Sequence, residues 1–204
     1  MYINNEGQFT QFWCRPSLKN EEQWAFDAVT YYYIEQALQK DFYVIKESIG
    51  GSAVDLARSS YNGLYWSADS LWLSNNTSAN NGGKSLLKGL SNNIRRCIDN
   101  VLDTLSSGYE VKCLLWHQGE NDHGSGKKYY KNMKNIVAYV RDSLTVITGD
   151  SSYLNLPVIC GTISTKSKGY DAELINSIYR IAAEDDNFHV VDMSDGTLLD
   201  SYHF

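Results

Sequence analysis

Four times along the chain, a stretch patterned as an amphipathic helix is followed by a short apolar run, and this alternation constrains the fold more than any other feature. Residues 21–39 carry Trp24, Ala28, Tyr31, Tyr32, Glu35 and Leu38 at a period near 3.6, ahead of a β-rich run at 42–46. Residues 85–105 set Leu86, Leu90, Ile94, Ile98, Val101, Leu102 and Leu105 on one stripe, ahead of a strand at 111–116. A third helix at 127–146 points Met133, Ile136, Val137, Val140 and Leu144 at the core and leads to a strand at 156–161, where Pro157 fits strand entry. A fourth helix at 171–185 precedes the last strand at 188–192. Nearly continuous apolar strands alternating with helices specify an α/β fold, with a parallel sheet covered on both faces. A length of 204 residues suffices for one full core and is short for two, so residues 1–204 read as a single domain.

Two long polar stretches, 48–84 and 117–126, interrupt this pattern, and each begins where a strand ends. Long loops in compact domains are usually functional, and open α/β sheets bind ligands beyond the carboxyl ends of their strands. Within the first, Asn75–Gly83 is rich in Asn, Gly and Ser and reads as a mobile loop. The net charge is −6 and no basic run exceeds a pair, so there is no positive stripe for nucleic acid. No apolar run reaches the ~18 residues of a membrane span. The four cysteines, at 14, 97, 113 and 160, form no C-x-x-C pair; Cys113 and Cys160 sit in strand patterns as buried thiols, and Cys14 with Cys97 is a conceivable disulfide. The 15 Tyr and 5 Trp fit either core packing or sugar stacking, and composition does not separate the two.

Three clusters at strand ends carry chemistry. Gly50-Gly51-Ser52 follows the strand at 42–46; paired glycines let the backbone turn and bring N–H groups to a ligand, as an oxyanion site needs. His117-Gln118-Gly119-Glu120-Asn121-Asp122 follows the strand at 111–116 and holds an imidazole, two amides and two carboxylates. His117 and His123 on this loop match no ligand spacing, so no metal is expected. Asp200 and His203 follow the last strand; an acid three residues before a histidine can hold its tautomer and make it a general base.

Trp116-His-Gln-Gly-Glu-Asn-Asp122 resembles the Trp-His-Gln-Gly-Glu-Ser-Asp signature of the sialate O-acetylesterase and carbohydrate esterase family 6 group, within the SGNH hydrolases. The Gly50-Gly51-Ser52 turn is similar to that family's glycine block, and Asp200-x-x-His203-Phe204 to its C-terminal block. The resemblance covers about residues 21–204. It implies a flavodoxin-like three-layer sandwich and a serine acetylesterase that removes acetyl groups from sugars, of sialic acid or of a plant polysaccharide such as xylan, with no cofactor. It further implies His203 as general base, Asp200 or Glu120 as the triad acid, and Gly51 with Gln118 or Asn121 as oxyanion donors. It favours an extracytoplasmic location, secreted or periplasmic.

The family's nucleophile stands in a Gly-Gln-Ser-Asn block after the first strand, and the chain has none: Gly7-Gln8 is followed by Phe9, with no apolar strand ahead of it. Gly149-Asp150-Ser151 lies at the wrong end of the strand at 156–161 and reads as a turn; Ser52 is the substitute on the correct face. The expectation is a domain truncated at both ends, lacking its first central strand, its serine and the closing helix. Such a chain is inactive alone. The alternative is a non-catalytic carbohydrate-binding protein with a degenerate esterase fold and an aromatic cleft around Trp66, Trp72 and Trp116.

Overall fold

The computed structural model describes residues 2–5, 8–11 and 26–203, with side chains from residue 29 onward. In chain order the strands are β1 (Tyr2–Asn5), β2 (Gln8–Gln11), β3 (Tyr43–Val44), β4 (Leu114–Trp116), β5 (Val158–Gly161) and β6 (Phe188–Val191). The helices are α1 (Phe26–Leu38), α2 (Ser70–Asn75), α3 (Leu86–Asn100), α4 (Gly126–Thr148) and α5 (Ala172–Glu184). They fall into two compact units, one taking in the described residues up to Glu47 with Asn93–Tyr109, the other Ser48–Asn92 with Glu110–His203.

In the first unit, β1 pairs antiparallel with β2 and parallel with β3, in the order β2-β1-β3. The sequence reading placed no strand ahead of Gly7-Gln8. The structure has a short one there, Tyr-Ile-Asn-Asn, whose polar second half hides it from an apolar pattern. On α1, Tyr31 is buried, as its stripe predicted, but Tyr32 and Leu38 from the same stripe are exposed. Residues 21–25 of the expected helix, and Cys14, lie outside the described residues; Cys97 is a free thiol.

The second unit is organised around the parallel sheet β4-β5-β6, registered by Leu114 with Val158, Trp116 with Cys160 and Cys160 with Val190. With its helices it forms the α/β arrangement that the helix–strand alternation called for, consistent with the flavodoxin-like fold that the resemblance implied. On α4 the buried residues are Gly126, Tyr129, Met133, Ile136, Val137, Val140 and Leu144, the predicted stripe extended toward the helix start by a tyrosine and a glycine. On α5 they are Leu174, Ser177, Ile178 and Ile181. The two helices pack so closely that a Cβ at Gly126 would collide with the backbone nitrogen of Leu174. The Asp171 carboxylate caps both at once, accepting from the N–H of Gly124 (2.7 Å) just before α4, of Gly126 (3.3 Å) at its first residue, and of Glu173 (2.9 Å) and Leu174 (3.3 Å) in α5. On β6, His189 and Val191 are exposed, so the expectation of cover on both faces fails at this strand.

The stretch at 75–83 is built rather than loose. Asn75 ends α2, Ala79–Asn81 form a tight turn, and Ser78 is buried. The Ala79 N–H donates to Ser85 O at 2.9 Å and the Gly83 N–H to Ser78 O at 2.9 Å. Gly149 closes α4 in the left-handed conformation (φ 73°) and Asp150 caps the turn Ser151–Asn155, so Gly149-Asp150-Ser151 is the turn it was read as.

Candidate active site

The loop after β4 is shaped by Gly119. Its φ of 152° is disfavoured for any side chain, and a Cβ there would stand 2.8 Å from Ile163 Cδ1. This bend starts a tight turn, Glu120–Asp122, and drives Asp122 fully inside. Its carboxylate accepts from the N–H of Val54 (2.9 Å), the N–H of Asp55 (2.8 Å) and the amide of Gln118 (2.6 Å). Burial pushes the Asp122 carboxyl above the usual carboxylate range, and these donors offset only part of that rise. One buried acid therefore ties the glycine-turn segment to the loop after β4.

The two amides proposed for the oxyanion are both engaged within the protein. The Gln118 side chain donates to Ser52 O (3.2 Å) and to Asp122, and the Asn121 side chain donates to Gly51 O (3.0 Å) and Ser59 O (2.7 Å). A primary amide has two hydrogens, so each is fully used. By contrast, the backbone N–H groups of Gly50, Gly51 and Ser52 have no acceptor among the described residues. Gly51 turns the chain there at φ 69°. Ser52 is buried, and its hydroxyl donates to Ile49 O (2.8 Å) while accepting from the Trp66 indole (3.1 Å).

The acid–histidine pair is formed. Asp200 Oδ2 lies 2.8 Å from His203 Nδ1, while Oδ1 accepts from the N–H of Tyr202 (2.6 Å) and of His203 (2.8 Å). The His203 imidazole first, then these two N–H groups, hold the exposed Asp200 carboxyl down at about 2. The turn is pinned to the loop after β5, where the Lys168 N–H donates to Ser201 O at 2.9 Å and the Ser167 hydroxyl to Tyr202 O at 3.3 Å. His203 Nε2 has no hydrogen-bond partner among the described residues.

A second acid–imidazole pair stands beside the first. Glu120 Oε1 lies 3.5 Å from His117 Nε2, both largely buried. Burial pushes the Glu120 carboxyl up, His117 and, more weakly, His203 pull it down, and the net result is below the usual range. Two glycines make room: a Cβ at Gly161 would stand 2.7 Å from the His117 ring, and one at Gly169 would stand 2.5 Å from Glu120 Cβ.

The aromatic cleft is a correction. Trp66 and Trp116 are buried, packed edge to face at 5.3 Å, and their indole N–H groups donate to Ser52 and Tyr129. Trp72 is half-buried against Tyr65. Neither buried indole presents a face to a sugar. Sequence reasoning also missed Asp122 as the anchor of the site, although it closes the heptapeptide, and it missed Tyr129, whose hydroxyl donates to Gln118 O at 2.9 Å.

The model of the family described as carbohydrate esterase, sialic acid-specific acetylesterase matches residues 78–204. The chain belongs to this family. The matched span holds the carbohydrate esterase heptapeptide and the Asp200–His203 pair. Membership points to an ester hydrolase with a carbohydrate substrate. A search of the curated proteins gives no match.

Proposed function

We propose that this carbohydrate esterase is an O-acetylesterase that works by acyl transfer through serine. A serine hydroxyl attacks the acetyl carbonyl and gives its proton to His203 Nε2. Asp200 holds the other ring nitrogen and stabilises the imidazolium. The backbone N–H groups of the Gly50–Ser52 turn receive the oxyanion, with Gln118 and Asn121 as the amides that set that turn. Glu120 is the second acid near the histidine. Water, activated by the same His203, then releases acetate. The observation that carries this reading is the Asp200–His203 contact of 2.8 Å with Nε2 left without a partner among the described residues.

The sequence has no Gly-Gln-Ser-Asn block, and Ser52 already donates to Ile49 O. The 204 residues alone are therefore expected to hydrolyse acetyl esters near background, since loss of a triad serine costs on the order of 10⁶ in turnover. Acetate release from p-nitrophenyl acetate that His203→Ala abolishes would refute this part and direct attention to Ser52. The esterase reading itself is tested without turnover. Diethyl pyrocarbonate should modify His203, and an O-acetylated sugar should slow that modification more than its deacetylated parent does. Equal or absent protection by the two sugars would sink the reading.

A further inference from the structure

We propose that Tyr61 is the platform on which the acetyl-bearing ring of the substrate stacks, which makes it a specificity-determining residue of this site. The inference rests on the acetylesterase reading above and deepens it.

The chain leaves the glycine turn and folds back onto it at Tyr61. The Tyr61 N–H donates to Gly51 O at 2.8 Å, beside the Asn121 amide that donates to the same oxygen at 3.0 Å. The Tyr61 Cβ lies 3.3 Å from where a Cβ on Gly51 would stand, so this side chain is rooted directly on the turn. Next to it, the Ser60 hydroxyl accepts from the Ala53 N–H (3.2 Å) and donates to Leu64 O. The two residues that follow, Asn62 (φ 53°) and Gly63 (φ 68°), are both left-handed, a conformation disfavoured for the asparagine. The root of Tyr61 is thus held from both sides. Its side chain nevertheless stays 61% exposed, and its hydroxyl has no hydrogen-bond partner among the described residues. On the other arm of the turn, a Cβ at Gly50 would meet nothing within 4 Å, so the space there is open.

An aromatic face left in water is unfavourable in proportion to its apolar area. The C–H face of a pyranose covers such a ring while the sugar hydroxyls stay hydrated at its edge. A tyrosine suits this role, because its flat, amphipathic side chain gives up little rotamer freedom on binding. Trp66 and Trp116, buried against each other, cannot offer a face in this way. Position selects which ring is stacked. In the proposed reaction the acyl oxygen sits on the N–H groups of the Gly50–Ser52 turn. A sugar ring is joined to that acyl carbon through a single oxygen, so it comes within reach of a side chain rooted on the same turn. A small acetyl ester without a ring gains nothing from Tyr61.

The test is an NMR titration of the full chain and of Tyr61→Phe, Tyr61→Leu and Tyr61→Ala. Three probes are compared: a mono-O-acetylated methyl xyloside, its deacetylated parent, and propyl acetate. The wild type is expected to bind the acetylated xyloside about tenfold more tightly than propyl acetate. The xyloside ring protons should shift upfield on binding, as protons above an aromatic face do. Tyr61→Phe should keep the preference and the upfield shift. Tyr61→Leu, apolar but without a flat face, and Tyr61→Ala should lose most of both, with propyl acetate affinity changing less than about twofold. A preference or an upfield shift that survives in Tyr61→Leu or Tyr61→Ala overturns the assignment and leaves the acetylesterase reading standing. So does an equal loss of affinity for propyl acetate, which would make Tyr61 a mere support of the turn. Equal binding of the acetylated xyloside and its deacetylated parent by the wild type, or no binding of any probe, overturns both.

Discussion

Replacing Asp122 by alanine removes the acceptor of three hydrogen bonds and leaves the N–H groups of Val54 and Asp55 in a dry interior. The third donor, the Gln118 amide, belongs to a half-buried side chain and can turn toward water. Each orphaned buried donor costs roughly 1–3 kcal/mol, so the two backbone groups together cost about 2–6 kcal/mol. The lost carboxylate returns part of this, because burial already disfavours its charged form. A destabilisation of about 2–4 kcal/mol follows, equivalent to a drop in Tm of about 4–15 °C for a chain of this size. Urea unfolding of wild type and Asp122→Ala, followed by tryptophan fluorescence, measures the difference. Native-state hydrogen exchange locates it: the amides of Val54 and Asp55 should lose protection while those of β5 keep theirs relative to global unfolding. Asp122→Asn keeps the volume but turns an NH₂ group toward N–H donors, and should lose at least half as much. A change below about 0.5 kcal/mol in Asp122→Ala, with Val54 and Asp55 still protected, would refute the view that this acid ties the site together.

Two further outcomes are expected. Asp171→Ala uncaps both α4 and α5 and should cost about 1–2 kcal/mol, with Asp171→Asn recovering most of it; a neutral alanine variant in the same urea assay would contradict the shared cap. Asp200 should titrate near 2 by carboxyl NMR, and His203→Ala should move it up toward the ordinary ~4. Because its folded pKa is depressed, Asp200 contributes stability that is present above its unfolded pKa and is lost as pH falls through about 2. An Asp200 that titrates identically in both proteins would show that the pair does not form in solution.

Much of the second unit was legible in the sequence because its signals are local. The α4 stripe from Met133 to Leu144 repeats at helical spacing, and Asp171 announces the start of α5. The acid–histidine pair was legible for the same reason: three residues of one turn bring Asp200 and His203 together. What escaped depends on contacts between distant segments. No pattern within the heptapeptide tells that the hydrogens of Gln118 and Asn121 are taken by Ser52, Gly51 and Ser59, more than 60 residues away. Trp66 and Trp116 read equally well as sugar platforms or core until their burial is known. β1 and β2 are joined by backbone pairing between residues of mixed polarity, which hydrophobic periodicity does not register.

The two buried indoles carry a consequence for watching this protein at work. Trp66 belongs to the segment after the glycine turn and Trp116 ends β4, and their rings stand 5.3 Å apart at 77°. Indole transition dipoles that close couple as excitons, giving a paired positive and negative band in circular dichroism whose size depends on their separation and mutual orientation. The protein thus carries an intrinsic optical gauge of how tightly the segment after its glycine turn is seated against the end of β4, readable without any label.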